Sequence, residues 1–192
     1  MLKLIARLYL RLNGWKLINE YPKHIKKSVT LGAPHTSNED FLVARAAFFV
    51  MGVPVKFTIK KEAMFFPLNL ILKPLGAIPI DRKKKNKGFS YVQQMIEVFD
   101  NYDRIFLMIT PEGTRKKVDK LKSGFYHVAK GAEVPVLLGF MDYKKKIVGI
   151  REVVIPSENM EKDMKKIIDF YSTITAKFPE KGIGYGLNPV QE

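Results

Sequence analysis

The chain contains no cysteine. Disulfide staples, thiolate nucleophiles and cysteine-ligated zinc or iron–sulfur centres are therefore excluded, and any chemistry falls to histidine, carboxylate, hydroxyl or basic groups. Acidic residues are scarce, with 19 Asp and Glu against 33 Lys and Arg, a net charge of +14. An excess of that size points to an acidic partner: nucleic acid, an anionic membrane, a phosphorylated metabolite or an acidic carrier protein. Long apolar runs are also missing. No stretch free of Asp, Glu, Lys and Arg exceeds eleven residues, whereas a membrane-spanning helix takes roughly 18 or more, so none is expected. The opening MLKLIARLYLRL is interrupted by Lys3, Arg7 and Arg11, which argues against a secretory signal.

What is present suits a folded domain. Hydrophobic residues make up 46% of 192, enough for one sizeable core, and no repeat or linker divides the chain, so a single domain over 1–192 is expected. Short β-rich runs at 28–33, 54–59, 77–81, 104–110, 134–140 and 147–155 alternate with helical patterns. Residues 39–51 form an apolar helical stretch, Phe89, Val92, Ile96 and Phe99 make a one-sided stripe, and Met160, Met164, Ile167, Ile168, Tyr171, Ile174 and Phe178 predict a long helix with one buried face. This alternation predicts an α/β fold with a mostly parallel, mixed sheet flanked by helices. Over 1–16, Lys3, Arg7 and Arg11 share one helical face beside Leu4, Ile5, Leu8 and Leu12, the pattern of an amphipathic helix lying on an anionic membrane; packing on its own domain explains it equally. The stretch 62–80 is apolar yet cut by Pro67, Pro74 and Pro79, which leaves either core or a lipid-facing patch. Residues 181–192, with Gly182, Gly184, Gly186 and Pro189, read as a loop tail.

Three histidines are available as bases near neutrality. His24 lies in the basic run KHIKK and His127 in a helical segment, where solvated and structural roles suffice. His35 stands at a strand-to-helix turn, the place where ligands gather in α/β sheets. Asp40, five residues on, is in reach of one imidazole nitrogen, which would fix the tautomer and free the other nitrogen as a base. Asp40 also fits a Ser-x-x-Asp helix start and nothing more. A second constellation, Pro111-Glu112-Gly113-Thr114-Arg115, follows the strand 104–110 and combines a tight turn, a hydroxyl and a guanidinium fork suited to phosphate. Lys60 and the pair Asp81-Arg82 put further charge at strand ends, and ordinary surface charge accounts for each alone. Together they describe a base, anion binders and a nearby apolar surface, suited to a phosphorylated, lipid-like substrate. No metal site is expected, because the histidines are not grouped with carboxylates at ligand spacing beyond His35 and Asp40.

These blocks resemble the lysophospholipid acyltransferase family, which includes 1-acylglycerol-3-phosphate acyltransferases. The resemblance is carried by HTSNED (35–40) as H-x4-D, by IKKEAMFFPLNLILKPLGAIPIDR (59–82), by PEGTR (111–115) and by VPVLLGF (134–140), in family order. It implies a glycerolphosphate acyltransferase-like fold and transfer of an acyl group from acyl-CoA or acyl-carrier protein to a lysophospholipid hydroxyl, above all on 1-acylglycerol-3-phosphate, without a covalent acyl-enzyme or a cofactor. His35 would be the base and Asp40 its orienter. Gly113, Thr114 and Arg115 would bind the acceptor head group, Glu112 would brace the turn, Lys60 and Arg82 would add positive potential, and 62–80 would floor an acyl-chain groove. Thr110 and Glu39 depart from the common pattern, at positions often aromatic or apolar. The resemblance also implies a cytoplasmic protein, peripheral on the inner face of the membrane, with an acidic acyl carrier as a further partner. The alternatives are a different lysolipid acceptor, or a non-catalytic basic module for membrane or nucleic acid; RKKKNK (82–87) and YKKK (143–146) lack the interleaved aromatics that nucleic-acid binding uses.

Overall fold

The computed structural model of the chain describes residues 2–81 and 91–183, and within them every run read as a strand is one. In chain order the first half forms α1 (Leu2–Leu12), β1 (Lys16–Asn19), β2 (Lys27–Ala33), α2 (Glu39–Met51), β3 (Val55–Lys60), α3 (Leu68–Leu72) and β4 (Ala77–Ile80). The second half forms α4 (Tyr91–Val98), β5 (Ile105–Ile109), α5 (Gly124–Gly131), β6 (Val136–Asp142), β7 (Ile147–Val154) and α6 (Met160–Ser172). The described strands make one seven-stranded sheet in the order β1-β7-β6-β2-β5-β3-β4. All neighbours are parallel except β6 and β7, which are antiparallel.

Successive side chains of a strand serve opposite faces, and that alternation builds two cores. Val29, Leu31, Ile105, Leu107, Val136 and Leu138 face α4, α5 and α6, meeting Met95, Phe125, Val128, Met164 and Ile167. Phe106, Leu137, Met141, Val148 and Ile150 face the other way, toward Ala6 and Leu10 of α1 and Val43, Ala46 and Ala47 of α2. Each large side chain so buried contributes about 1.5–3 kcal/mol, and the result is the helix–sheet–helix layering expected from the sequence.

Four differences from the sequence reading have local causes. β1 was not expected, being too short to show a period; it reaches the sheet because Gly149 faces Ile18, where a Cβ would stand 1.7 Å from the Ile18 carbonyl oxygen. The helix expected over 1–16 ends at Leu12, because the chain folds back so that the Trp15 N–H donates to Leu10 O at 2.8 Å and the indole is buried. The long C-terminal helix stops at Ser172, short of Ile174 and Phe178: Ser172 Oγ donates to Asp169 O at 2.8 Å and Thr173 Oγ1 to Phe170 O at 2.7 Å, hydroxyl bonds that compete with further helix. Of the stripe at 89–99, Val92 and Ile96 pack on the core from α4 and Phe99 follows in a 3₁₀ turn. Phe89, Arg82, the run at 82–87 and the tail beyond Ile183 lie outside the described residues.

Register carries the strand ends into one place. In the β2–β5 pair Leu31 lies opposite Ile109, and in the β3–β5 pair Phe57 lies opposite Met108. The segments that follow these strands, from Pro34, Lys61 and Thr110, therefore leave the carboxyl edge of the sheet as neighbours.

Candidate active site

Both readings of Asp40 are realised at once. Its Oδ2 accepts the N–H groups of Thr36 and Ser37, each at 2.8 Å, and the Ser37 hydroxyl accepts the N–H of Glu39 at 3.1 Å, so the carboxylate fastens the start of α2. The same Oδ2 faces Nδ1 of His35 at 3.2 Å. Oδ1 accepts from Ser37 Oγ at 3.1 Å and from the Tyr143 hydroxyl at 2.7 Å. Burial pushes the Asp40 carboxyl up, but the hydrogen bonds from His35, Tyr143, Ser37 and Thr36 outweigh it and hold the group below the usual carboxylate range. An ionised Asp40 accepts only, so it selects the imidazole tautomer with the proton on Nδ1 and leaves Nε2 with a free lone pair. Asp40 is 1% exposed and the His35 side chain 24%, which keeps the orienter dry and the ring open to a ligand.

A second strand end holds the backbone of His35. Its N–H donates to Glu112 Oε1 at 2.8 Å, across from the Pro-Glu-Gly turn after β5. Glu112 is 2% exposed, its Oε2 has no partner among the described residues, and burial pushes its carboxyl above the usual range. Gly113 then turns the chain at φ +64°, with its N–H donating to Thr110 O at 3.1 Å. Two contacts hold the His35–Asp40 turn from the C-terminal side: the Phe178 N–H donates to Thr36 Oγ1 at 3.3 Å, and Lys177 pairs with Glu39.

Beside this turn opens a groove of about 920 Å³. Phe57, Met95, Met108 and Phe125 supply apolar lining, Thr110, Glu112, Gly113 and Thr114 also line it, and Glu112 joins it to the His35 backbone. The stretch 62–80 does not contribute to the lining, against the expectation that it floors an acyl-chain groove. Its proline-broken path turns Phe65, Phe66, Leu70 and Ile71 outward to solvent instead.

The structure thus brings together His35, Asp40, Glu112, Gly113 and Thr114. Lys60, at the end of β3, and Arg115, just past the turn, are both exposed, and neither lines the groove. Arg82 lies outside the described residues. His24 and His127 are both exposed, the latter edge-on to Tyr126. Sequence reasoning missed Tyr143, which was read only as part of a basic run, and Lys122, one of many lysines in the chain, with no sign that it borders the groove. Among the described residues no group of three or more His, Asp or Glu side chains is gathered as a metal ion would need.

The sequence matches the family model described as Acyltransferase over residues 19–137, more than half of the chain. Among solved structures, the fold is similar to that of the 1-acyl-sn-glycerophosphate (LPA) acyltransferase PlsC from Thermotoga maritima, with a TM-score of 0.59 at 18% identity over 88% of this chain and 74% of that one. No curated protein matches the sequence. The family model spans both the His35–Asp40 turn and the Glu112–Thr114 turn that the sheet sets side by side, and the chain belongs to the Acyltransferase family of enzymes.

Proposed function

We propose that the protein transfers a fatty acyl group from acyl-CoA or acyl-carrier protein to the free hydroxyl of 1-acylglycerol-3-phosphate, giving phosphatidic acid, with His35 as base and Asp40 as its orienter. The observation that carries this reading is the His35 Nδ1 to Asp40 Oδ2 contact of 3.2 Å at a strand end whose neighbour is the Pro-Glu-Gly-Thr turn. The similarity in fold to an LPA acyltransferase supports the choice of acceptor. Nε2 takes the proton of the acceptor hydroxyl as its oxygen attacks the thioester carbonyl. Collapse of the tetrahedral intermediate breaks the C–S bond, and the imidazolium returns the proton to the departing thiolate. Holding both substrates in one groove makes the attack effectively unimolecular. Gly113, Thr114 and Arg115 serve the acceptor head group, Glu112 braces the turn, and Lys60 adds positive potential at the groove's approach.

The lipid substrate also fits a peripheral place on an anionic membrane, the cytoplasmic leaflet in the proposed setting. Leu4, Ile5, Leu8 and Leu12 of α1 are exposed beside Lys3, Arg7 and Arg11, and Phe65, Phe66, Leu70 and Ile71 form a second exposed apolar group. Among the described residues no helix is long and apolar enough to cross a membrane.

Purified protein given labelled acyl-CoA, and separately acyl-carrier protein, with a panel of lysolipids tests the reading. Turnover is expected to be highest on lysophosphatidate. His35→Ala should lose roughly 10²–10⁴-fold in kcat with the fold intact; full activity in that variant would overturn the mechanism.

A further inference from the structure

The groove is chemically mixed. Its lining combines apolar side chains, Phe57, Met95 and Met108, with two cations on the segment that leads into α5, Lys120 and Lys122. Lys122 is placed by the turn it overlies. Its backbone N–H donates to Pro111 O at 2.9 Å, and its side chain arches over Gly113, where a Cβ would stand 2.7 Å from Nζ, 3.0 Å from Cε and 3.1 Å from Cδ. Gly113 therefore does two things: it turns the chain, and it leaves the space that the ammonium occupies.

That ammonium makes no ion pair or hydrogen bond among the described residues. The two carboxyls closest in sequence do not pair with it: Asp119 is exposed and outside the groove lining, and Glu112 is turned inward with Oε1 on the His35 N–H. Lys122 and Thr114 both line this part of the groove, an ammonium and a hydroxyl that an anion can meet together. Arg115, the cation the sequence favoured, is exposed and outside the lining.

We propose that Lys122 is the principal phosphate ligand of the acyl acceptor: it holds the phosphomonoester over the Gly113 turn while the acceptor's chain lies along Phe57, Met95 and Met108. This rests on the lysophosphatidate reading above. The chemistry that Lys122 recognises is a phosphate, and the thioester donor acyl-CoA also carries phosphate; the apolar lining of the same groove favours the acceptor, whose phosphate and chain are on one small molecule.

Initial rates of wild type, Lys122→Gln, Lys122→Arg and Arg115→Gln, with acceptor and acyl-CoA varied in turn, test the assignment. Lysophosphatidate is compared with 1-acylglycerol, which has the same hydroxyl and no phosphate. Lys122→Gln should raise the KM for lysophosphatidate roughly tenfold or more, while its KM for acyl-CoA and its rate on 1-acylglycerol stay within about twofold of wild type. Lys122→Arg should recover most of the loss, and Arg115→Gln should cost less than Lys122→Gln. An unchanged lysophosphatidate KM in Lys122→Gln, or a rise confined to acyl-CoA, overturns the assignment and leaves the acceptor reading standing. A wild-type enzyme that acylates no phosphorylated acceptor overturns both.

Discussion

The Tyr143 hydroxyl donates to Asp40 Oδ1 at 2.7 Å across 103 residues of chain, joining the turn after β6 to the first turn of α2. Its ring meets that of buried Trp15 edge-on at 5.0 Å. Burial, and next the bond to Asp40, pushes the phenol up, so it is a donor at neutral pH. Three distant pieces of sequence thereby hold one carboxylate against one imidazole. Tyr143 touches no reacting atom in this arrangement and is a positioning residue.

Tyr143→Phe should lower kcat roughly three- to tenfold with the acceptor KM within about twofold, since the lost bond serves the base and not the head group. Removing a donor from an ionised carboxylate raises its titration, so the acid limb of the stability profile should move to higher pH in the variant. Equal kcat and an unmoved profile, with lowered thermal stability only, would reduce Tyr143 to a packing role.

Acid stability should report on Asp40. Its carboxyl titrates lower in the folded chain than unfolded, so its stabilisation is fully present above the unfolded value of about 3.9 and is lost as pH falls through the folded value. Asp40→Asn removes the charged acceptor that Thr36, Ser37 and Tyr143 share, and should cost about 1.5–3 kcal/mol at pH 7. Chemical denaturation from pH 7 to pH 3 should show the gap between wild type and variant narrowing toward the acid end. A gap independent of pH contradicts the linkage.

Most of the sheet and half of the site were legible because they rest on local signals. Strand alternation and apolar runs placed the two cores, and His35-x4-Asp40 needs only one turn of chain to close. What escaped the sequence depends on approach between distant segments. β1 is four residues long and exists because Gly149 admits its backbone. Tyr143 and Lys122 look like ordinary members of basic stretches until the fold sets them on Asp40 and Gly113. The apolar run at 62–80 had the right composition for a groove, but its proline breaks give only the short α3 and direct its large side chains outward.

Gly113→Ala is expected to act through Lys122. The position has φ +64°, where a side chain costs roughly 1–2 kcal/mol, and the new methyl would meet the ammonium stem at 2.7–3.1 Å. Lys122 is long and exposed, so it gives way; the fold survives with a small loss of stability and the cation leaves its place. Acceptor KM should rise in Gly113→Ala, and the double variant with Lys122→Gln should show little further rise, because both changes remove the same contact. Full additivity would separate the turn from the lysine.

The two exposed apolar groups predict how the enzyme meets its substrate. Leu4, Ile5 and Leu8 project from α1 while Ala6 and Leu10 on its inner side pack into the core, so outer substitutions leave the fold alone. α1 packs on α2, and α2 reaches β3 through Phe41 against Phe57 at 5.3 Å, which ties this surface to the edge of the groove. Leu4→Ser, Ile5→Ser and Leu8→Ser together should weaken flotation with vesicles containing anionic phospholipid at least tenfold, since even half-buried each side chain is worth about 1 kcal/mol at the interface. Wild-type binding should also fall as salt rises from about 0.1 M to 0.5 M, because Lys3, Arg7 and Arg11 act across a distance that such salt screens. Activity on vesicle-borne lysophosphatidate should follow binding, while activity on detergent-dispersed lysophosphatidate should not. If the triple variant floats as wild type does, α1 is not the anchor, and the parallel substitution of Phe65, Phe66 and Ile71 decides whether the second group is.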